Sequence, residues 1–156
     1  MLVCRYVRRG RCLAQSSYLS SVDWSGDSEH IRVNTGEREL VVVDTTLCRL
    51  VTDTHLIRDI VWSSADLTLC WDTLGAWSGA GTVSTTCRSH GAGLQVSGDD
   101  SGQVSLFTHP AHAPGAGHHV YPGHSSEVSR VSFLADDTRV VSVGGKDCAI
   151  MQWQVE

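Results

Sequence analysis

The thirteen residues from Gln95 to Phe107 line up with those from Val141 to Trp153 at a constant shift of 46 residues. Gly98 meets Gly144, Val104 meets Ile150 and Phe107 meets Trp153. A chain that repeats at this length is built from supersecondary units that bury their faces against one another. The units themselves read as strands. Val128–Phe133, Arg139–Val143 and Ala149–Gln154 are short runs with partial period-two alternation, separated by Ala135-Asp136-Asp137 and Gly144-Gly145-Lys146-Asp147. Alternation broken by turn residues predicts a three-stranded antiparallel meander. Thr82–His90 supplies a matching first strand for the middle copy. A weaker copy runs through Tyr18–Trp24, His30–Val33 and Leu40–Asp44, with Asn34-Thr35-Gly36 as a turn.

Repeats of about 40–45 residues holding four short strands have the spacing of propeller blades. The expected architecture is all-β, a partial β-propeller of about three four-stranded blades in an incomplete circle. Residues 1–58 read as one degenerate blade together with an N-terminal strand of a preceding blade. Residues 59–81 read as a Trp-rich connection (Trp62, Trp71, Trp77) carrying an outer strand. Core packing is the expected role of these indoles, with an exposed aromatic patch as the alternative. Residues 82–121 form the second blade, and 122–156 the C-terminal blade, which lacks its own outer strand.

In the last copy Gly123-His124 precedes a strand, and Asp147 lies six residues before Trp153. This resembles the WD40 repeat, in which a His, a Ser or Thr, an Asp and a Trp form a hydrogen-bonded network within a blade. The resemblance implies His124, Asp147 and Trp153 as members here, with Ser142 as the fourth. The chemistry suits burial, because an inward carboxylate needs donors that imidazole, hydroxyl and indole N–H groups can supply. Three segments narrow the resemblance to the C-terminal propeller of echinoderm microtubule-associated protein-like proteins. They are Gly10–Ser17; Cys87-Arg-Ser-His90 with Ser97–Asp100; and Gly123–Ser126 with Gly144–Asp147 and Met151–Trp153. Leu74-Gly-Ala-Trp77 also fits. The chain departs from the repeat where Ala14-Gln15 stands in place of Gly-His. Val43-Asp44, Phe107-Thr108 and Trp153-Gln154 stand in place of Trp-Asp. The resemblance implies a non-catalytic segment that binds tubulin or microtubules in the cytoplasm and cytoskeleton; a generic WD40 scaffold for another protein is the alternative. Three blades do not close a circle, so the chain reads as a fragment or truncated isoform of a longer protein.

Composition and the remaining motifs narrow the function further. Apolar residues make up 41% and charged residues 19%, a globular balance. A formal charge of −5 argues against nucleic acid as the main partner. Apolar runs such as Leu40–Val43 are too short to span a bilayer, and Met1–Arg11 places its arginines after its apolar residues, the reverse of a secretory signal. Six cysteines without a C-x-x-C pair read as free thiols packed as small hydrophobes. His109, His112, His118, His119 and His124 are close in sequence, but no Cys or carboxylate joins them, so a solvated loop is expected and no metal or cofactor. Asp99 and Asp100 read as turn residues between Gly98 and Gly102. No G-x-S-x-G, phosphate loop or H-E-x-x-H is present, so no enzyme is expected. Arg5, Arg8, Arg9 and Arg11 form a basic cluster: a solvated edge, or an electrostatic attractor for an acidic partner.

Overall fold

The computed structural model describes residues 5–13, 17–64, 67–78 and 81–156. The chain is all-β, with strands that pair in sequence order as antiparallel meanders. The first sheet holds β1 (Leu19–Trp24), β2 (His30–Thr35), β3 (Leu40–Asp44) and β4 (Arg49–Leu50). The second holds β5 (Val83–Arg88), β6 (Leu94–Asp99), β7 (Gln103–Thr108) and β8 (His118–Pro122). The third has three strands, β9 (Val128–Phe133), β10 (Arg139–Gly144) and β11 (Ile150–Gln154). Two compact units result: Met1–Ser63 contains the first sheet, and Ser64–Glu156 contains the other two.

In the first unit, Val33 and Val42 are buried on β2 and β3. Asp23 and Arg32, directly opposite across β1 and β2, are buried as an ion pair. Arg32 donates from Nε and a terminal nitrogen to Asp23 Oδ2 at 3.0 and 2.7 Å. An isolated bridge from Ser25 to Trp62 carries the indole over the guanidinium, 4.5 Å from ring centroid to Cζ. The pair is thus closed by a cation–π contact in place of water.

In the second unit the two sheets pack face to face. Val96 and Val104 meet Val128, Val131, Phe133 and Val140, all at most 5% exposed. Strand pairing corrects the repeat by one residue. Arg88 pairs Gln95 as Phe133 pairs Val140, so β5 and β6 map onto β9 and β10 at a shift of 45. Gln95 pairs Phe107 as Val140 pairs Trp153, so β7 maps onto β11 at a shift of 46. The additional residue is taken up in the turn before β11. Because side chains alternate between faces, the one-residue difference decides which positions correspond. Ser142 therefore corresponds to Ser97, not Val96, and Gly144 to Asp99, not Gly98.

Further expectations are corrected. No strand forms among the described residues of 59–81; Trp71–Ser78 is a 3-10 helix instead. Within it Thr73 and Ala76, three apart, are buried as a helix of about three residues per turn allows, and Leu67 and Cys70 just before it are buried as well. Trp77 donates to the Thr68 carbonyl at 3.1 Å, whereas Trp71 is 53% exposed and does not serve the core. Residues 5–13 likewise form no strand, so the N-terminal strand of a preceding blade is not found there. The Ala14-Gln15 departure lies outside the described residues. His118 and His119 belong to β8 and not to a loop.

Candidate functional site

The third sheet brings His124, Ser142, Asp147 and Trp153 together. Trp153 Nε1 donates to Ser142 Oγ at 2.8 Å, Ser142 Oγ lies 2.8 Å from His124 Nε2, and His124 Nδ1 lies 2.9 Å from Asp147 Oδ2. The indole can only donate, so the Ser142 hydroxyl passes its own hydrogen to Nε2, and the imidazole proton is assigned to Nδ1, facing the carboxylate. Ser142 is fully buried and the His124 side chain is 0% exposed, so each donor and acceptor depends on the next. The Asp147 carboxyl is held below its ordinary range, first by the Ala149 N–H, despite desolvation, and then by His124 and the Ser125 N–H.

The local sequence is shaped by this chain of bonds. A Cβ on Gly144 would collide with the Asp147 carboxylate, and one on Gly123 would lie 2.9 Å from both Met151 Sδ and Trp153 Cη2. Only glycine leaves room for the carboxylate at one end and the indole at the other. Ser126 Oγ accepts from the backbone N–H groups of Lys146 and Asp147, each at 3.1 Å, fastening the Gly-His-Ser-Ser segment to the Gly-Gly-Lys-Asp turn. These are the two motifs that carried the resemblance.

Among the described residues the middle sheet shows no such network. Ser97 and Phe107 stand where Ser142 and Trp153 do. Asp99 Oδ1 accepts from Ser101 N, Ser101 Oγ and Gln103 N, and Asp100 Oδ1 accepts from Thr82 N, so both carboxylates tie turns. The histidines disperse: His118 stacks on Phe107 at 4.7 Å, His112 approaches Asp72 at 3.8 Å, and His119 lies 6.5 Å from Tyr121. Burial lowers the His109 pKa, partly offset by Asp72, and His109 Nδ1 is buried with no hydrogen-bond partner. Among the described residues, the metal-ligating side chains that do cluster are Asp27 and Glu29 in the β1–β2 turn and His30 at the start of β2. Arg5, Arg8, Arg9 and Arg11 are all exposed.

Sequence reading missed two polar contacts. One is the buried Asp23–Arg32 pair, whose signal is a charge of each sign at inward positions of adjacent strands. The other joins the two sheets of the second unit. Asp137, in the β9–β10 turn, accepts from the N–H groups of His90 and Gly91 at 2.9 and 2.7 Å, and its Oδ1 lies 2.9 Å from His90 Nδ1. These contacts, the Gly91 N–H foremost, lower the Asp137 pKa. The pairing spans 47 residues and carries no local signature.

Comparison with known proteins places this geometry. The family model described as "Echinoderm microtubule-associated protein second beta-propeller" matches residues 2–155. Echinoderm microtubule-associated protein-like 1 of Mus musculus is 38% identical over 154 residues, covering 97% of this chain and 19% of the relative. Echinoderm microtubule-associated protein-like 2 of Rattus norvegicus is 40% identical over 151 residues, 95% of this chain and 23% of the relative. The 77 kDa echinoderm microtubule-associated protein of Lytechinus variegatus is 37% identical over 154 residues, 97% and 23% respectively. The chain spans 19–23% of the length of these curated relatives. Among solved structures, the computationally designed Ika4 protein superimposes with a TM-score of 0.60 at 18% identity, over 94% of this chain and 96% of that one, a likeness of fold alone.

Proposed function

The chain belongs to the family of the echinoderm microtubule-associated protein second β-propeller, and from that membership we propose that it is a non-catalytic, protein-binding segment contributing to tubulin or microtubule binding. One observation carries the reading: identity of 37–40% extends over 95–97% of this chain with relatives named as microtubule-associated proteins. We read the sheets as blades, with residues 1–58, 82–121 and 122–156 as the units and 59–81 as their connection. The His124–Ser142–Asp147–Trp153 network is read as the internal brace of the last blade, not as a reacting site. Its one hydroxyl is fully buried and is held at both ends by donors and acceptors of the same sheet. The place of action is the cytoplasmic cytoskeleton.

The test is co-sedimentation of the 156-residue chain with stabilised microtubules. A pelleted fraction that rises and saturates with polymer concentration is expected. A pelleted fraction no greater than that of an inert globular control at every polymer concentration overturns the reading. Capture of a defined non-tubulin protein under those same conditions then supports a general scaffold.

A further inference from the structure

β1 and β2 of the first sheet share their register with β9 and β10 of the third. Trp24 pairs Ile31 as Phe133 pairs Val140, and a bulge follows Leu19 as one follows Val128. Leu19, Val22 and Trp24 therefore stand where Val128, Val131 and Phe133 stand. In the third sheet these positions pack against Val96, Val104 and Leu106 of the second sheet and are 0, 2 and 5% exposed. In the first sheet they are 55, 62 and 48% exposed, beside an apolar hollow of about 500 Å³ that Ile31, Val33 and Val43 also line. Gly10, Arg11 and Cys12 border the hollow without covering these side chains. The face that does the covering has a bare counterpart too. Side chains alternate along a strand, so Val141 and Val143 point away from the buried Val140 and Ser142, and Ile150 pairs with Val143 on that outward side. Val141 pairs Gln152 as Val96 pairs Leu106, and Val143 pairs Ile150 as Gly98 pairs Val104. Ile150 is 76% exposed where Val104 is buried.

We propose that the outward face of the third sheet in one chain packs on the apolar face of the first sheet in a second copy, repeating the contact that joins the second and third sheets. The chain carries both halves of that contact, so the partner that fits is another copy of itself. The two halves are different surfaces, and copies therefore join head to tail. A bare cluster of Leu, Val and Trp has the composition of an interface core, not of a solvated face. Val143 is bulkier than Gly98, and the hollow beside Leu19 leaves room for it. Arg130 and Gln152 stand where Thr85 and Leu106 do, which makes the outward face more polar than its counterpart. Tubulin plays no part in this contact.

The experiment is sedimentation equilibrium of the full chain over a wide range of concentration. A mass that rises from one chain to two or more is expected. Val22→Glu and Ile150→Glu each place a charge on one half of the contact and should each weaken association about tenfold or more. Both positions are exposed in the single chain, and thermal melts establish that the variants fold. Should either fail to fold, Val22→Thr or Ile150→Thr keeps the branched shape and serves in its place. An equimolar mixture of the two variants contains one intact junction, between the first sheet of the Ile150 variant and the third sheet of the Val22 variant. The mixture should therefore return to the mass of two chains. A single-chain mass for the parent at every concentration, undiminished association of either folded variant alone, or a mixture that stays at one chain overturns the proposal.

Discussion

At Ser142 a single hydroxyl accepts from Trp153 and donates to His124, and no water reaches it. Ser142→Ala therefore leaves an indole N–H and an imidazole nitrogen unpaired in a buried site. It should destabilise the chain by about 1–3 kcal/mol in urea denaturation. Ser142→Thr, which keeps the hydroxyl, should lose less; equal losses would show that packing and not bonding is at stake. The acid response follows from the carboxyl groups. Asp27, Asp136, Asp137 and Asp147 are all held below their ordinary range, Asp27 and Asp136 chiefly by side-chain hydroxyls and Asp137 and Asp147 chiefly by backbone N–H groups. A folded pKa below the unfolded one gives stability that is present above the ordinary carboxyl value and is lost as pH falls through the folded value. His109 is shifted down by burial, so it too favours the folded state above its ordinary value of 6.5 and opposes it below. Thermal midpoints should fall in two stages, slightly below pH 6.5 and more steeply in the carboxyl range. In Asp147→Asn the steep stage should be shallower.

At the level of elements, β1 and β2 are held in register by a buried ion pair. Removing one partner strands the other charge away from water. Asp23→Ala should cost about 3–5 kcal/mol in the same denaturation assay, while the joint change Asp23→Leu with Arg32→Met should recover most of it. A double variant no more stable than the single one would mean that Trp62 needs the guanidinium. The 3-10 helix shows how an element escapes a strand-based reading. Tryptophans are common in strands, and Trp62, Trp71 and Trp77 draw attention first, yet the helix buries Thr73 and Ala76, small residues three apart.

For the molecule as a whole, the formal charge is −5, yet Arg5, Arg8, Arg9 and Arg11 stand exposed within seven residues. If this segment meets an acidic partner surface, replacing all four by glutamine should weaken microtubule co-sedimentation roughly threefold to tenfold at low salt. The difference should shrink as ionic strength rises and the screening length contracts. Equal pelleting of the variant and the parent at low salt would assign these arginines to a solvated edge.

What the sequence alone determined is the repetition and its chemistry. The strand runs of the last copy were legible because alternation and turn residues are local properties. His124, Ser142, Asp147 and Trp153 were implied only by the resemblance to the WD40 repeat, which Gly123-His124 and the spacing of Asp147 from Trp153 carried. What only the tertiary structure decided depends on counting residues through turns and across faces. A shift of 46 aligns letters, but the turn before β11 takes up one residue, so the sheets correspond at 45 through β10. Period-two alternation turns that one residue into a change of face, which places Ser97, not Val96, at the position Ser142 holds. The Asp23–Arg32–Trp62 cluster and the Asp137 link likewise join residues whose proximity arises from pairing and packing, which no local pattern records.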